Sequence, residues 1–135
     1  MILLISACAT PRRSERTSAS APAGARTYYG ILPCPLDCKN VVTELTLLSN
    51  HQFSMEENYR SNQEADKIEQ SWGEWSMVEG NSSHAKAQIY ELISDQFEQE
   101  RYFLRVSDDV LRALDEQGEE VLTKQNVTLK RIKNK

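Results

Sequence analysis

Two-residue alternation over positions 41–60 constrains this chain more than any other feature. Val41, Thr43, Leu45 and Leu47 face one side of an extended chain, and Val42, Glu44, Thr46 and Leu48 face the other. Ser49-Asn50-His51-Gln52 is a polar turn. Phe53, Met55 and Tyr59 then alternate with Ser54, Glu56 and Asn58. The pattern predicts a β-hairpin with arms at 41–49 and 52–60.

The remainder reads the same way in shorter pieces. A polar loop at 61–67 precedes a short strand, Trp72-Gly73-Glu74-Trp75-Ser76-Met77, with Trp75 and Met77 on one face. Gly73 inside it marks a bulge or a close backbone approach. After a loop at 79–84, strands are predicted at 87–93 and 102–106, joined by an acidic turn at 94–100. Val110-Leu111-Arg112-Ala113-Leu114 fits helix or strand, and the turn Asp115-Glu116-Gln117-Gly118 favours strand. Residues 126–132 form the last strand, and Pro33 to Asn40 leaves room for a helical turn. Short strands with turns at roughly 8–12-residue spacing read as an antiparallel sandwich or barrel. A barrel is favoured because closure removes exposed edges.

Size and charge narrow the function. The chain has 135 residues, enough for one domain with a modest core. Residues 26–135 hold 13 Lys and Arg against 19 Asp and Glu, a net charge of −6. Such a surface argues against nucleic-acid binding, which needs clustered Lys and Arg.

The beginning of the chain has a different character. Met1-Ile2-Leu3-Leu4-Ile5-Ser6-Ala7 is apolar and uncharged, and it meets Cys8. It reads as a partial signal peptide over 1–7, too short to span a membrane, which takes about 20 apolar residues. Ile5-Ser6-Ala7-Cys8 resembles the bacterial lipobox, in which cleavage before the Cys leaves it to carry lipid. The other reading is a buried N-terminal strand with a chance Cys, but the following segment cannot continue a strand. Residues 9–25 contain no Val, Ile, Leu, Met or aromatic residue. With Cys8 they make a lipidated Cys and flexible linker over 8–25. By the sorting rule for such lipoproteins, Ala9 after the Cys implies the outer membrane.

Few residues carry chemistry. Cys34 and Cys38 allow three readings: a thiolate site for a soft ion such as Cu(I), a disulfide, or two inert thiols. His51 and His84 fall in polar loops and read as solvated residues. Met55 and Met77 read as core. Trp72, Trp75 and Tyr90 are candidates to line a cavity, with an ordinary filled barrel as the alternative. No nucleophile–base order, HExxH, P-loop or acid–base carboxylate pair stands out, so catalysis is not expected.

Tyr28-Tyr29-Gly30-Ile31-Leu32-Pro33-Cys34, with Cys38, resembles the opening strand and Cys motif of the NlpE family. Val42-Thr43-Glu44-Leu45-Thr46-Leu47 follows at the family's spacing, and Trp72-Gly73-Glu74-Trp75 resembles its Gly-x-Trp strand. Leu114-Asp115 with Gly118, then Asn126-Val127-Thr128-Leu129, resembles its C-terminal hairpin. The family carries Cys-x-x-Cys, whereas this chain has one residue more between its cysteines. The resemblance implies a small lipocalin-like β-barrel over 26–135, lipid-anchored to the outer membrane and facing the periplasm. It also implies copper tolerance, envelope-stress sensing through a sensor kinase, and Cys34 and Cys38 as a Cu(I) or redox site. A monomer is expected. The alternative function is a periplasmic lipocalin-like module for an apolar small molecule, with Cys34–Cys38 a structural disulfide.

Overall fold

The computed structural model describes residues 24–35, 37–62 and 65–132. The signal segment, Cys8 and nearly all of the linker lie outside them. Eight strands follow one another in the chain: β1 (Arg26–Leu32), β2 (Asn40–Leu47), β3 (Gln52–Arg60), β4 (Lys67–Glu79), β5 (Gln88–Ile93), β6 (Arg101–Ser107), β7 (Val110–Ala113) and β8 (Thr128–Ile132). Each pairs antiparallel with its neighbours, and β8 returns to β1, so the sheet is a closed barrel in sequence order. Among the described residues there is no helix; 37–39 form bends. The helical turn allowed for Pro33 to Asn40 is therefore absent, which fits the restriction that Pro35 places on the residue before it.

Alternation decides the inside. Val41, Thr43, Leu45 and Leu47 on β2 are all buried, and so are Phe53 and Met55 on β3. They meet Tyr28, Leu32, Tyr90, Leu92, Phe103, Leu111 and Leu129 from the other strands in one core. Burying such a side chain contributes about 1.5–3 kcal/mol relative to exposure. The ambiguous segment 110–114 is strand, because Leu111 pairs with Leu129 and completes the wall. The turn after it places Gly118 at φ 79°, a conformation that glycine adopts freely.

The strand expected at 72–77 runs from Lys67 to Glu79. Its first half has inverted polarity. Ile68 and Trp72 face out and are 58% and 61% exposed, while Ser71 faces in and is buried. This half pairs with β3 from Lys67 to Glu74, and the second half pairs with β5 from Glu74 to Glu79. Gly73 lies at the change of partner. A Cβ there would come within 2.1 Å of the Ile93 carbonyl oxygen and 3.0 Å of Phe53 Cε2. Close approach, not a bulge, explains this glycine.

Gly73→Ala is therefore expected to lower the unfolding free energy by about 1–3 kcal/mol. Urea unfolding followed by circular dichroism measures it, and an unchanged midpoint would refute the close-approach account.

Candidate functional site

Strand direction sorts the residues into two ends. At the Arg26 end lie the 48–51 turn, the 80–87 loop and the turn between β6 and β7. At the other end lie the loops 33–39, 61–66 and 94–100; the 114–127 loop starts and finishes there but reaches the 80–87 loop, where Asn81 donates to the Gly118 carbonyl.

The first end is closed by side chains. Trp75 faces inward and meets Tyr90 edge-on at 5.4 Å between ring centroids. His51 lies in the left-handed region at φ 69° and stacks on the outer side of Trp75 at 4.2 Å. The Trp75 indole N–H donates to the Leu48 carbonyl at 2.9 Å. Arg26 donates to the Tyr90 hydroxyl at 3.0 Å and sits over both rings. The Tyr28 hydroxyl, further inside, donates to the Asp108 carbonyl at 3.1 Å. Trp75 and Tyr90 thus reach the interior, where they pack together and stopper the mouth. Trp72 does not join them. It lies on the outer wall, because three positions separate it from Trp75 and an odd spacing puts two strand residues on opposite faces. The depression it borders, about 270 Å³, lies with Glu44, Thr46, Ser54, Glu56 and Gln70 on the wall of β2, β3 and β4.

The opposite end holds the cysteines. Cys34 and Cys38 are joined by a disulfide with Cα atoms 5.6 Å apart, in the loop between β1 and β2. The Cys38 N–H also points at Cys34 Sγ, 3.2 Å away. Backbone pairing on either side holds the loop, since Leu32 opposes Val41 and Lys39 N–H donates to the Arg60 carbonyl. Oxidised in this way, the pair presents no thiolate, so it does not fit a copper ion in this form. Among the described residues no group of three or more His, Cys, Asp and Glu side chains is placed to hold a metal. His84 is an exposed partner of Glu120 at 3.5 Å. Met55 is buried as expected, whereas Met77 is 40% exposed.

An ion pair inside the barrel wall was not apparent from the sequence. Glu57 has the inward parity of Phe53 and Met55 and is 6% exposed. Arg101, at the start of β6, donates to it at 2.6 Å. The guanidinium also lies over Phe97, 5.2 Å from the ring centroid, and Phe97 stacks on Phe53. Loop 94–100 is folded into the wall by these contacts. Burial, then the Glu57 carboxylate by charge and hydrogen bond, raises the Tyr59 hydroxyl above its usual pKa. Burial raises Tyr28 as well. The sequence signal for Glu57 was its parity alone; its partner stands 44 residues away.

Glu57→Ala is expected to cost about 1–3 kcal/mol, and more than Glu57→Leu combined with Arg101→Leu, because the single change leaves the half-buried Arg101 guanidinium without its carboxylate. A double-mutant cycle of unfolding free energies decides it. Because the folded tyrosine values are raised, their stabilisation is complete below pH 10 and is lost as pH rises beyond it. Tyr28→Phe with Tyr59→Phe is expected to flatten that alkaline fall, measured as unfolding free energy against pH.

No curated protein matches the sequence. Solved structures share the fold, two of them as follows. A Shewanella oneidensis protein assigned as a lipoprotein aligns with a TM-score of 0.59 and 24% identity, over 78% of this chain and 85% of that one. The Cpx pathway activator NlpE from Escherichia coli aligns with a TM-score of 0.55 and 24% identity, over 81% of this chain. The chain spans 52% of the length of that activator. The sequence profile of the NlpE N-terminal domain matches residues 28–124, which includes most of β1, all of β2 to β7 and the cysteine loop. The chain therefore belongs to the NlpE family.

Proposed function

We propose that this chain is the barrel domain of an envelope-stress lipoprotein that works by contact and not by catalysis. The family match over 28–124 carries this reading. Two observations support it further: the Escherichia coli neighbour is a Cpx pathway activator, and the Shewanella neighbour is assigned as a lipoprotein. In this reading Cys8 carries the lipid anchor. Acyl chains bind a bilayer at roughly 0.8 kcal/mol per buried CH₂, so a lipidated Cys8 holds the barrel at the outer membrane without a spanning helix. The barrel then faces the periplasm, and a sensor kinase is its signalling partner.

Cys34 and Cys38 are the redox element of the proposal. In an oxidising compartment the disulfide closes the first loop. Thiol–disulfide exchange with an external dithiol, which is itself oxidised to a disulfide, gives two thiols; these release their protons on binding Cu(I), a soft ion that accepts thiolates at low coordination number. Copper capture thus belongs to the reduced form alone. A small-molecule role draws no support from the interior, where the residues that would line a cavity are packed together.

Producing the protein in cells that carry a Cpx-responsive reporter is expected to raise the reporter severalfold. Cys8→Ala is expected to release the protein from membranes and change that response. An unaltered reporter with the wild-type chain would sink the signalling reading. Separately, reduced protein is expected to keep roughly one copper per chain through anaerobic dialysis. Oxidised protein and Cys34→Ser/Cys38→Ser are expected to keep none. Equal retention by all three removes the metal reading.

A further inference from the structure

Within the barrel, β4 carries a stretch of strand edge with no partner strand on its β5 side. On β4 the backbone direction can be read from its flanks. Trp75 N–H bonds to the His51 carbonyl on the β3 side, and Gly80 N–H bonds to Ala87 on the β5 side. Along an antiparallel strand these directions alternate. Odd-numbered residues of β4 therefore bond toward β3, and even-numbered residues face β5. However, β5 ends at Ile93, opposite Glu74. For Trp72 the missing partner is replaced by side chains: its N–H donates to Gln96 Oε1 at 2.9 Å, and its carbonyl accepts from Ser94 Oγ at 2.7 Å. Beyond Trp72 no strand continues. The N–H and C=O groups of Ile68 and Gln70 point out of the sheet, and Lys67, Ile68, Glu69 and Gln70 are all exposed.

An edge of this kind is a template for one more strand. Its surroundings define what would bind there. Ile68 and Trp72, both more than half exposed, flank it on the outer face. Glu56, hydrogen-bonded to Gln70, opposes Glu44 across β2 and β3 on the same face, and Glu69 is on the edge itself. Exposed Asp95, Glu98 and Glu100 lie in the loop beyond the edge. Lys67, at the start of the edge, is held by Glu69 at 3.1 Å. A second copy of the chain would set these carboxylates against their own kind, which is destabilising for directly opposed strands. We propose that the edge of β4 at 67–71 accepts an extended, basic segment of a partner protein as an added strand. Its main chain pairs with Ile68 and Gln70, its apolar side chains lie on Ile68 and Trp72 on the outer face, and its Lys or Arg side chains, on the other face, meet Glu69 and the carboxylates of the 94–100 loop. This surface stands independently of copper and of the signalling reading.

The probe is an end-capped octapeptide of alternating Val and Lys, with a Val–Glu peptide and an alternately N-methylated Val–Lys peptide as comparisons. Fluorescence polarisation measures affinity, and amide chemical shifts of the labelled protein locate the contact. The Val–Lys peptide is expected to bind with shifts centred on 67–71, and the other two are expected to bind at least about tenfold more weakly. Gln70→Pro removes an outward donor without touching the β3 ladder and is expected to weaken binding to a similar degree. Glu69→Lys/Glu98→Lys should do the same, while the charge-matched Glu79→Lys/Glu116→Lys stays within about twofold of wild type. Should Gln70→Pro unfold the protein, the N-methylated peptide still reads the backbone contact. The proposal is overturned by no binding of the Val–Lys peptide, by equal binding of the N-methylated peptide, by shifts centred elsewhere, or by equal losses in the two charge-reversal pairs. Self-association abolished by Trp72→Ala would assign the edge to a second copy and overturn it too.

Discussion

Pairing of β1 with β8 is the contact on which the rest of this structure depends. It closes the sheet through the register Thr27 to Ile132, Tyr28 to Arg131 and Tyr29 to Lys130. Without closure, β1 and β8 would expose their edges, and the inward side chains of eight strands would have no opposite wall to pack against. Closure also brings the two ends of the domain together, since residues about a hundred positions apart become neighbours. Tyr28 is buried for this reason, and its hydroxyl reaches the Asp108 carbonyl across the barrel mouth.

An eight-stranded barrel has an interior that side chains can fill, and here they do. Chemistry is therefore displaced outward. One mouth is stoppered by Arg26, Tyr90, Trp75 and His51. The other end carries the Cys34–Cys38 loop. Between them, the wall next to β4 is sealed by Phe97, Arg101 and Glu57 instead of by backbone pairing. The same early end of β5 that requires this seal leaves the edge of β4 open. One geometric fact, the stagger of β5 against β4, thus explains a half-buried ion pair, a glycine pressed against a carbonyl oxygen and an exposed strand edge.

Where hydrophobic alternation was regular, the fold was legible. The rows Val41 to Leu47 and Phe53 to Met55 point inward as their spacing requires. Legibility failed where polarity and face disagree. The half-strand 67–72 has its apolar residues outside and Ser71 inside, so the alternation that announces a strand was reversed. Glu57 shared the parity of the core, but a carboxylate reads as exposed until its cation is known, and Arg101 lies on a different strand. For the tryptophans, spacing already separated Trp72 from Trp75, and only Trp75 reached the interior.

By itself the sequence determined an all-β chain, the turns between most strands, the parity of the core and the family of its cysteine-bearing first loop. These are local properties, set by neighbours within a few residues. Tertiary structure decided which strands meet, and hence everything that depends on a meeting. It paired Glu57 with Arg101, set Gly73 against Ile93, filled the barrel and left β4 without a partner strand on its β5 side from Lys67 to Ser71. Those contacts arise from the stagger between strands, which is a property of the closed sheet and is written in no single stretch of the chain.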